Sequence, residues 1–157
     1  MLVNEVMTRE VVTVTIDETL ADLLKKLVKH NYHILPVVDD EMRVVGVVNF
    51  QDIMKVFLPH HPSLGKLLKS THLYRFDEGD ILEADLTEEL VSKTTVADIM
   101  NHNAVTVDDH LTIAEVRHAM KMHNIIRMPV IRDERLVGFI TLFDLIVALF
   151  RERGVID

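Results

Sequence analysis

The chain repeats itself, and that repetition constrains its fold more than any other feature. Val6-Met7 lies over Ile99-Met100 at an offset of 93 residues, and at the same offset Val12-Thr13-Val14 falls on Val105-Thr106-Val107. Thr19-Leu-Ala-Asp22 falls on Thr112-Ile-Ala-Glu115, His30-Asn31 on His123-Asn124, and Pro36-Val37 on Pro129-Val130. One gap near Asp40 reduces the offset to 92, after which Val45-Gly46 meets Val137-Gly138 and Asp52 meets Asp144. Identities spread over roughly 50 residues with a single gap mark a duplication. The chain then divides into a first repeat (1–57), an acidic connector (58–93) and a second repeat (94–157).

Each copy reads as strand, helix, strand, strand, helix. Val11 to Val14 is short and β-branched, the pattern of a strand. Thr19-x-x-Asp22 is a capping box that opens a helix. Leu20, Leu23, Leu24, Leu27 and Val28 then follow at helical spacing as one apolar stripe. In the second copy Thr112-x-x-Glu115 opens the helix, and Ile113, Val116, Ala119 and Met120 form its inward face. Ile34–Val38 and Val44–Val48 are strands around the Asp39-Asp40-Glu41 turn, matched by Met128–Ile131 and Leu136–Ile140. The closing helices run from Phe50 to Phe57 and from Leu142 to about Arg151. A single copy is too small to bury its own sheet. Two copies packed about a pseudo-two-fold axis bury both, which gives an α+β fold of two tandem β-α-β-β-α units.

Composition removes several function classes. Hydrophobic residues make up 48% of the 157, enough for a packed core. The longest apolar stretch, Leu136 to Phe150, is broken by Gly138, Thr141 and Asp144, so no membrane span is expected. The N-terminus lacks the basic and apolar regions of a signal peptide, and a cytoplasmic location is the expectation. With no cysteine there is no disulfide, thiolate metal site or cysteine nucleophile. A net charge of −8 argues against DNA or RNA polymers as partners but leaves room for a mononucleotide. The nine histidines include no His-Glu-x-x-His. His60 and His61 are adjacent and His118 and His123 are five apart, so no metal site is expected. There is no nucleophile elbow, P-loop or dinucleotide fingerprint, hence no catalytic residue and no enzyme expected. Met120, Met122 and Met128 read as core filler or a pliable interface.

The connector has no partner in the repeat. Pro62 fits the first position of a short helix whose apolar side is Leu64, Leu67 and Leu68. Asp77, Glu78, Asp80, Glu83, Asp85, Glu88 and Glu89 follow, with no Lys or Arg from 77 to 92. The stretch reads as a solvated connector; the sharper alternative is a partner-docking arm or a lid over the cleft.

One motif bears on chemistry. Thr141 ends a strand where a helix begins. The first amides of that helix lack internal partners and carry partial positive charge, which favours a phosphate. Thr141 adds a hydroxyl, and Asp144 in the first turn can accept from ribose hydroxyls. The same Thr-x-x-Asp spacing is also a plain capping box, and spacing alone favours the cap.

The segment Gly138-Phe-Ile-Thr141-Leu-Phe-Asp144 resembles the nucleotide-binding signature of CBS domains: Gly, two apolar residues, Thr or Ser, two residues, Asp. Asp98-Ile-Met100 ahead of the first strand and Ile125-Ile-Arg-Met-Pro129 resemble the family too, and the likeness covers both repeats. The resemblance implies a regulatory, energy-sensing module with no required cofactor. It would bind an adenosyl ligand (AMP, ADP, ATP or S-adenosylmethionine) in the cleft between repeats, form a homodimer and act on a client protein. By the same likeness, one nucleotide site comprises Thr106, Val107, Ile126, Arg127, Met128, Pro129, Thr141 and Asp144. The other comprises Thr13, Val14, His33, Ile34, Leu35, Pro36, Asn49 and Asp52. Arg127 is placed either as a phosphate partner or as a surface arginine on a strand edge. The first copy, Gly46-Val-Val-Asn49-Phe-Gln-Asp52, departs from the pattern by carrying Asn49. Leu145, Ile146, Leu149 and Phe150 on the last helix read as an apolar dimer face. The competing reading is a ligand-free dimerisation or protein-interaction module in which the Thr-x-x-Asp motifs are caps alone.

Overall fold

The computed structural model describes residues 1–30, 32–57 and 88–157. The expected Pro62 helix, His60, His61 and the acidic run from Asp77 to Asp85 lie outside the described residues. The first repeat contains α1 (Val3–Val6), β1 (Val14–Thr15), α2 (Leu20–His30), β2 (Ile34–Val38), β3 (Val44–Asn49) and α3 (Phe50–Phe57). After α4 (Glu88–Lys93) come α5 (Val96–Ile99), β4 (Val107–Asp108), α6 (Ile113–His123), β5 (Arg127–Arg132), β6 (Arg135–Thr141) and α7 (Leu142–Glu152). Each repeat builds a three-stranded sheet, β1-β2-β3 and β4-β5-β6. In both, the first pair is parallel and the second antiparallel. The β-bulges at Val37/Val38 and Val130/Ile131 fall at equivalent positions. The architecture is therefore the α+β duplication read from the sequence.

Local chemistry explains the helix ends. Among the described residues, four helices carry reciprocal caps, at Thr19–Asp22, Asn49–Asp52, Thr112–Glu115 and Thr141–Asp144. In each, the acidic side chain accepts from the cap residue's own N–H, and the cap side chain accepts from the third helical amide. Helix α6 stops where Asn124 turns left-handed at φ 52°, a conformation asparagine tolerates better than most residues. On α2 the buried face is Leu20, Leu23 and Leu27, while Val28 is 81% exposed. The five-residue stripe expected there was one residue too wide, because Val28 has rotated off the core by the third turn.

The two cores are not made from contiguous halves. One cluster contains Val14, Leu20, Leu23, Leu35, Val37, Val48 and Ile53 of the first repeat together with Val96 of the second. The other contains Val107, Val116, Met120, Met128, Val130, Ile140 and Leu145 together with Val3 and Met7 of the first. Each leading helix thus completes the other repeat's core. The exchange is pseudo-symmetric in its hydrogen bonds. Val3 N–H donates to Leu111 O and Val96 N–H to Glu18 O, each at 2.8 Å. Further along, Thr8 pairs with Phe139 of β6 and Asn101 with Val47 of β3. A bridge between the equivalent residues Arg43 and Arg135 marks the pseudo-two-fold axis itself.

This crossing corrects two expectations. The strand expected at Val11–Val14 is only Val14–Thr15. The chain is still paired to the other repeat at Thr8, so Val11 and Val12 are crossing the cleft rather than adding to the sheet. Leu145, expected on an exposed dimer face, is 1% exposed and belongs to the second core, whereas Ile146 and Phe150 are 42% and 44% exposed.

The second repeat also carries a polar lock that the first lacks. Asp109, buried at the end of β4, accepts from Arg132 Nε at 2.9 Å and from Arg132 Nη2. Its main chain receives Asn4 N–H of the exchanged helix at 3.2 Å. The Arg132 hydrogen bonds hold the Asp109 carboxyl below its ordinary value against the opposing effect of burial. A depressed folded-state pKa stabilises above the unfolded-state value of about 3.9 and is lost as pH falls through the lower folded value. Thermal melts should therefore place Asp109→Asn below the parent at pH 7, with the gap closing below about pH 4. A gap independent of pH would refute this origin.

Candidate ligand-binding cleft

Where the exchanged segment crosses, it leaves a cavity of about 380 Å³ with walls from both repeats. The first repeat supplies Thr8, Glu10, Val11 and Val12 from the crossing segment and Tyr32, His33, Ile34, Leu35 and Pro36 at the start of β2. The second supplies Ile126, Arg127, Phe139, Thr141, Leu142 and Phe143. The walls are mostly aliphatic and aromatic, and the polar side chains among them are Thr8, Glu10, Tyr32, His33, Arg127 and Thr141.

The residues singled out in the sequence separate into three groups. His33, Ile34, Leu35, Pro36, Ile126, Arg127 and Thr141 come together in this one cavity, although the sequence divides them between two sites. Thr13, Val14, Thr106, Val107, Met128, Pro129, Asn49 and Asp52 are not among its walls. Val14, Val107 and Met128 have their side chains in the two cores. Asp144 borders a second hollow between α1 and α7, with Glu5, Val6 and Arg151, and Phe143 lies between the two hollows. Thr8, Glu10, Val11, Val12, Tyr32, Phe139, Leu142 and Phe143 were not singled out. The exchanged segment brings in the first four, and no repeat alignment displays an exchange. Phe143, 71% exposed at the second position of a helix, carried the one usable signal, a large apolar side chain where solvent is expected.

The α7 N-terminus can be accounted for amide by amide. Thr141 N–H donates to Asp144 Oδ2 at 2.8 Å, and Leu142 N–H to Ile126 O at 2.8 Å. Asp144 N–H donates to Thr141 Oγ1 at 3.2 Å. Phe143 N–H has no partner among the described residues, so one orphan amide faces outward at the positive end of the helix. Thr141 Oγ1 donates to Asp144 Oδ2 at 2.7 Å, which leaves Oδ1 as the carboxylate's open acceptor. The α3 end repeats this scheme: Asn49 N–H reaches Asp52 Oδ2 at 2.9 Å and Phe50 N–H reaches His33 O at 3.0 Å.

The two junctions differ in charge. Arg127 stands opposite Thr141 in the β5–β6 ladder, and the equivalent pair in the first repeat is Ile34 opposite Asn49. Arg127 is the one guanidinium among the described wall residues, half-buried and without an ion-pair partner among the described residues. Glu10 is the one carboxylate among the described wall residues, exposed and likewise unpaired among the described residues. No group of three His, Asp or Glu side chains among the described residues is placed to hold a metal ion, and no described helix is long and apolar enough to cross a membrane.

The CBS domain sequence profile matches the chain twice, at residues 3–59 and 96–151. A relative from Methanocaldococcus jannaschii, an uncharacterized protein, is 30% identical over 161 aligned positions, which cover 95% of this chain and 91% of that one. Among solved structures, a CBS domain pair in complex with 5′-methylthioadenosine and S-adenosyl-L-methionine superposes with a TM-score of 0.65. It is 25% identical, and the match covers 98% of each chain. CBSX2 in complex with AMP superposes with a TM-score of 0.70 at 22% identity over 97% of this chain and 98% of that one, a likeness of fold.

Proposed function

Because the chain belongs to the CBS domain family, we propose that it is a regulatory module that takes one adenosyl ligand in the cavity between its repeats. The observation that carries this reading is the make-up of the cavity. Apolar walls from one repeat face a strand–helix junction of the other that offers Thr141, an unpaired Phe143 amide and Arg127. In this reading the nucleobase lies among Val11, Val12, Ile34 and Pro36, whose main-chain groups can read its edge. The 5′ substituent meets Arg127 and the α7 N-terminus. Asp144 lies outside this cavity on the adjoining hollow, across Phe143, and in this reading its Oδ1 takes a ribose hydroxyl from a ligand that extends past Phe143 while Oδ2 keeps the cap. The junction at Asn49 and Asp52 lacks the arginine, so the Thr141 side is the stronger site. A ligand that touches both repeats favours the relative orientation that fits it, by as much as its affinities for the two arrangements differ. That shift is what a client protein would read. Phe143, Ile146 and Phe150, all exposed, favour a homodimer through the α7 face.

Titration calorimetry with AMP and with S-adenosylmethionine tests the reading. The parent should bind at least one of them with saturable heat. Asp144→Ala should weaken that binding by roughly tenfold, the worth of a charge-assisted hydrogen bond. The same change should cost about 1 kcal/mol of stability through the lost cap. The complete caps at four helix starts favour a second reading, a ligand-free interaction module. Under that reading Asp144→Ala loses stability and the parent takes up no adenosyl compound.

A further inference from the structure

We propose that Glu10 is a charge-selectivity residue that limits the cavity to adenosyl ligands carrying one phosphate or none. The inference rests on the adenosyl reading above and concerns which member of that class the site accepts. Glu10 and Arg127 line the same cavity of about 380 Å³, a space whose linear size is comparable to the screening length of about 8 Å at physiological salt. Their charges therefore both act on whatever occupies it.

The cavity's anion capacity is small. Arg127 supplies one permanent positive charge, and three of the four leading amides of α7 already have protein partners, which leaves Phe143 N–H. One phosphate can use both donors. A second and third phosphate would find no further permanent cation among the described wall residues, where His33 is the one other basic side chain, would meet the Glu10 carboxylate, and would enter the field of a chain of net charge −8. An uncharged 5′ substituent meets no such opposition, and a sulfonium or ammonium group, repelled by Arg127, is attracted by Glu10. The position is specific to this cleft. The residue equivalent to Glu10 in the second repeat is Asn103, which is neutral, so a carboxylate is not a requirement of the crossing segment. Glu10 is exposed and makes no hydrogen bond or ion pair among the described residues, so structural demand does not account for it.

Calorimetry with AMP, ATP and 5′-methylthioadenosine on the parent, Glu10→Gln and Glu10→Lys decides the matter. The parent should bind AMP at least roughly tenfold tighter than ATP. Glu10→Gln should narrow that ratio and Glu10→Lys should close or invert it, while the affinity for uncharged 5′-methylthioadenosine stays within about twofold in all three. Three results would overturn the inference while leaving the adenosyl reading intact. These are equal affinity of the parent for AMP and ATP, an AMP-to-ATP ratio unmoved by Glu10→Lys, or a parallel loss of all three compounds in both variants. Failure of every adenosyl compound to bind the parent would overturn both.

Discussion

Gly46→Ala should unfold this protein at a markedly lower temperature or urea concentration than any substitution at an exposed position. A Cβ on Gly46 would sit 2.7 Å from the carbonyl oxygen of Asn101 and 3.0 Å from Met100 Sδ. The nearer obstacle is main chain and is held at both ends. Val47 N–H donates to Asn101 O at 3.0 Å, and Asn101 N–H returns to Val47 O at 2.8 Å. The crossing segment cannot retreat without breaking that pairing and withdrawing Met100 from the first core. Overpacking costs about 1–3 kcal/mol, and each buried main-chain bond left unmade adds about 1–3 kcal/mol more. Gly138→Ala should cost less. Its Cβ would meet chiefly Met7 Sδ, the far end of a flexible side chain, with Met7 Cγ at 2.9 Å and Thr8 O at 3.0 Å. Urea melts of the two variants check the order, and a milder effect at Gly46 than at Gly138 would contradict the packing described here. The glycine that opens the family signature is thus required by the crossing main chain, whatever the cavity holds.

Val3→Asp should be more damaging still, enough to remove a large part of a stability of about 5–15 kcal/mol. Val3 is fully buried and packs with Val116, Met128, Ile140 and Leu145 of the other repeat. A carboxylate there would sit in a cluster of apolar side chains, and an unpaired buried charge is among the costliest single changes. Val96→Asp should do the same to the first core, where Val96 is fully buried. The control is Val28→Asp, since Val28 is 81% exposed and its replacement should alter stability by no more than about 0.5 kcal/mol. Circular dichroism would distinguish the three, with near-parental melting expected only for Val28→Asp.

The duplication, the β-α-β-β-α order within each copy and the capping residues were legible because each is local, whereas the short leading helices α1 and α5 went unread. Thr112-x-x-Glu115 and Thr141-x-x-Asp144 specify a cap through residues three apart, and the structure closes both caps. β2 is found where its apolar run lies, from Ile34 to Val38. What escaped reading was non-local. Nothing near Val3 or Val96 in the sequence says that each packs beneath the other repeat. The short β1 and the wall residues Glu10 to Val12 follow from that one exchange. Tyr32 and Phe143 escaped for another reason. The spacing of the Thr-x-x-Asp motif draws attention to its fixed positions, whereas Phe143 lies between them and Tyr32 precedes the strand it introduces. Leu145 was misread because helical spacing shows that a stripe exists without saying how many of its rows are covered.

The crossing of the leading helices has a consequence for how the chain reaches its native state on the ribosome. The first core closes on Val96, Ile99 and Met100, so Leu20 and Val14 cannot be fully covered until the chain has been made through Met100. The second core waits for its own strands yet needs Val3 and Met7, which are synthesised before any of those strands. Neither half therefore matures alone. Contacts between residues so far apart in sequence must form together, and late, which slows folding and prolongs the exposure of apolar surface. A nascent chain stalled before residue 96 should be open to protease throughout its first repeat, and one with all of the second repeat clear of the ribosome should become resistant in both repeats at once.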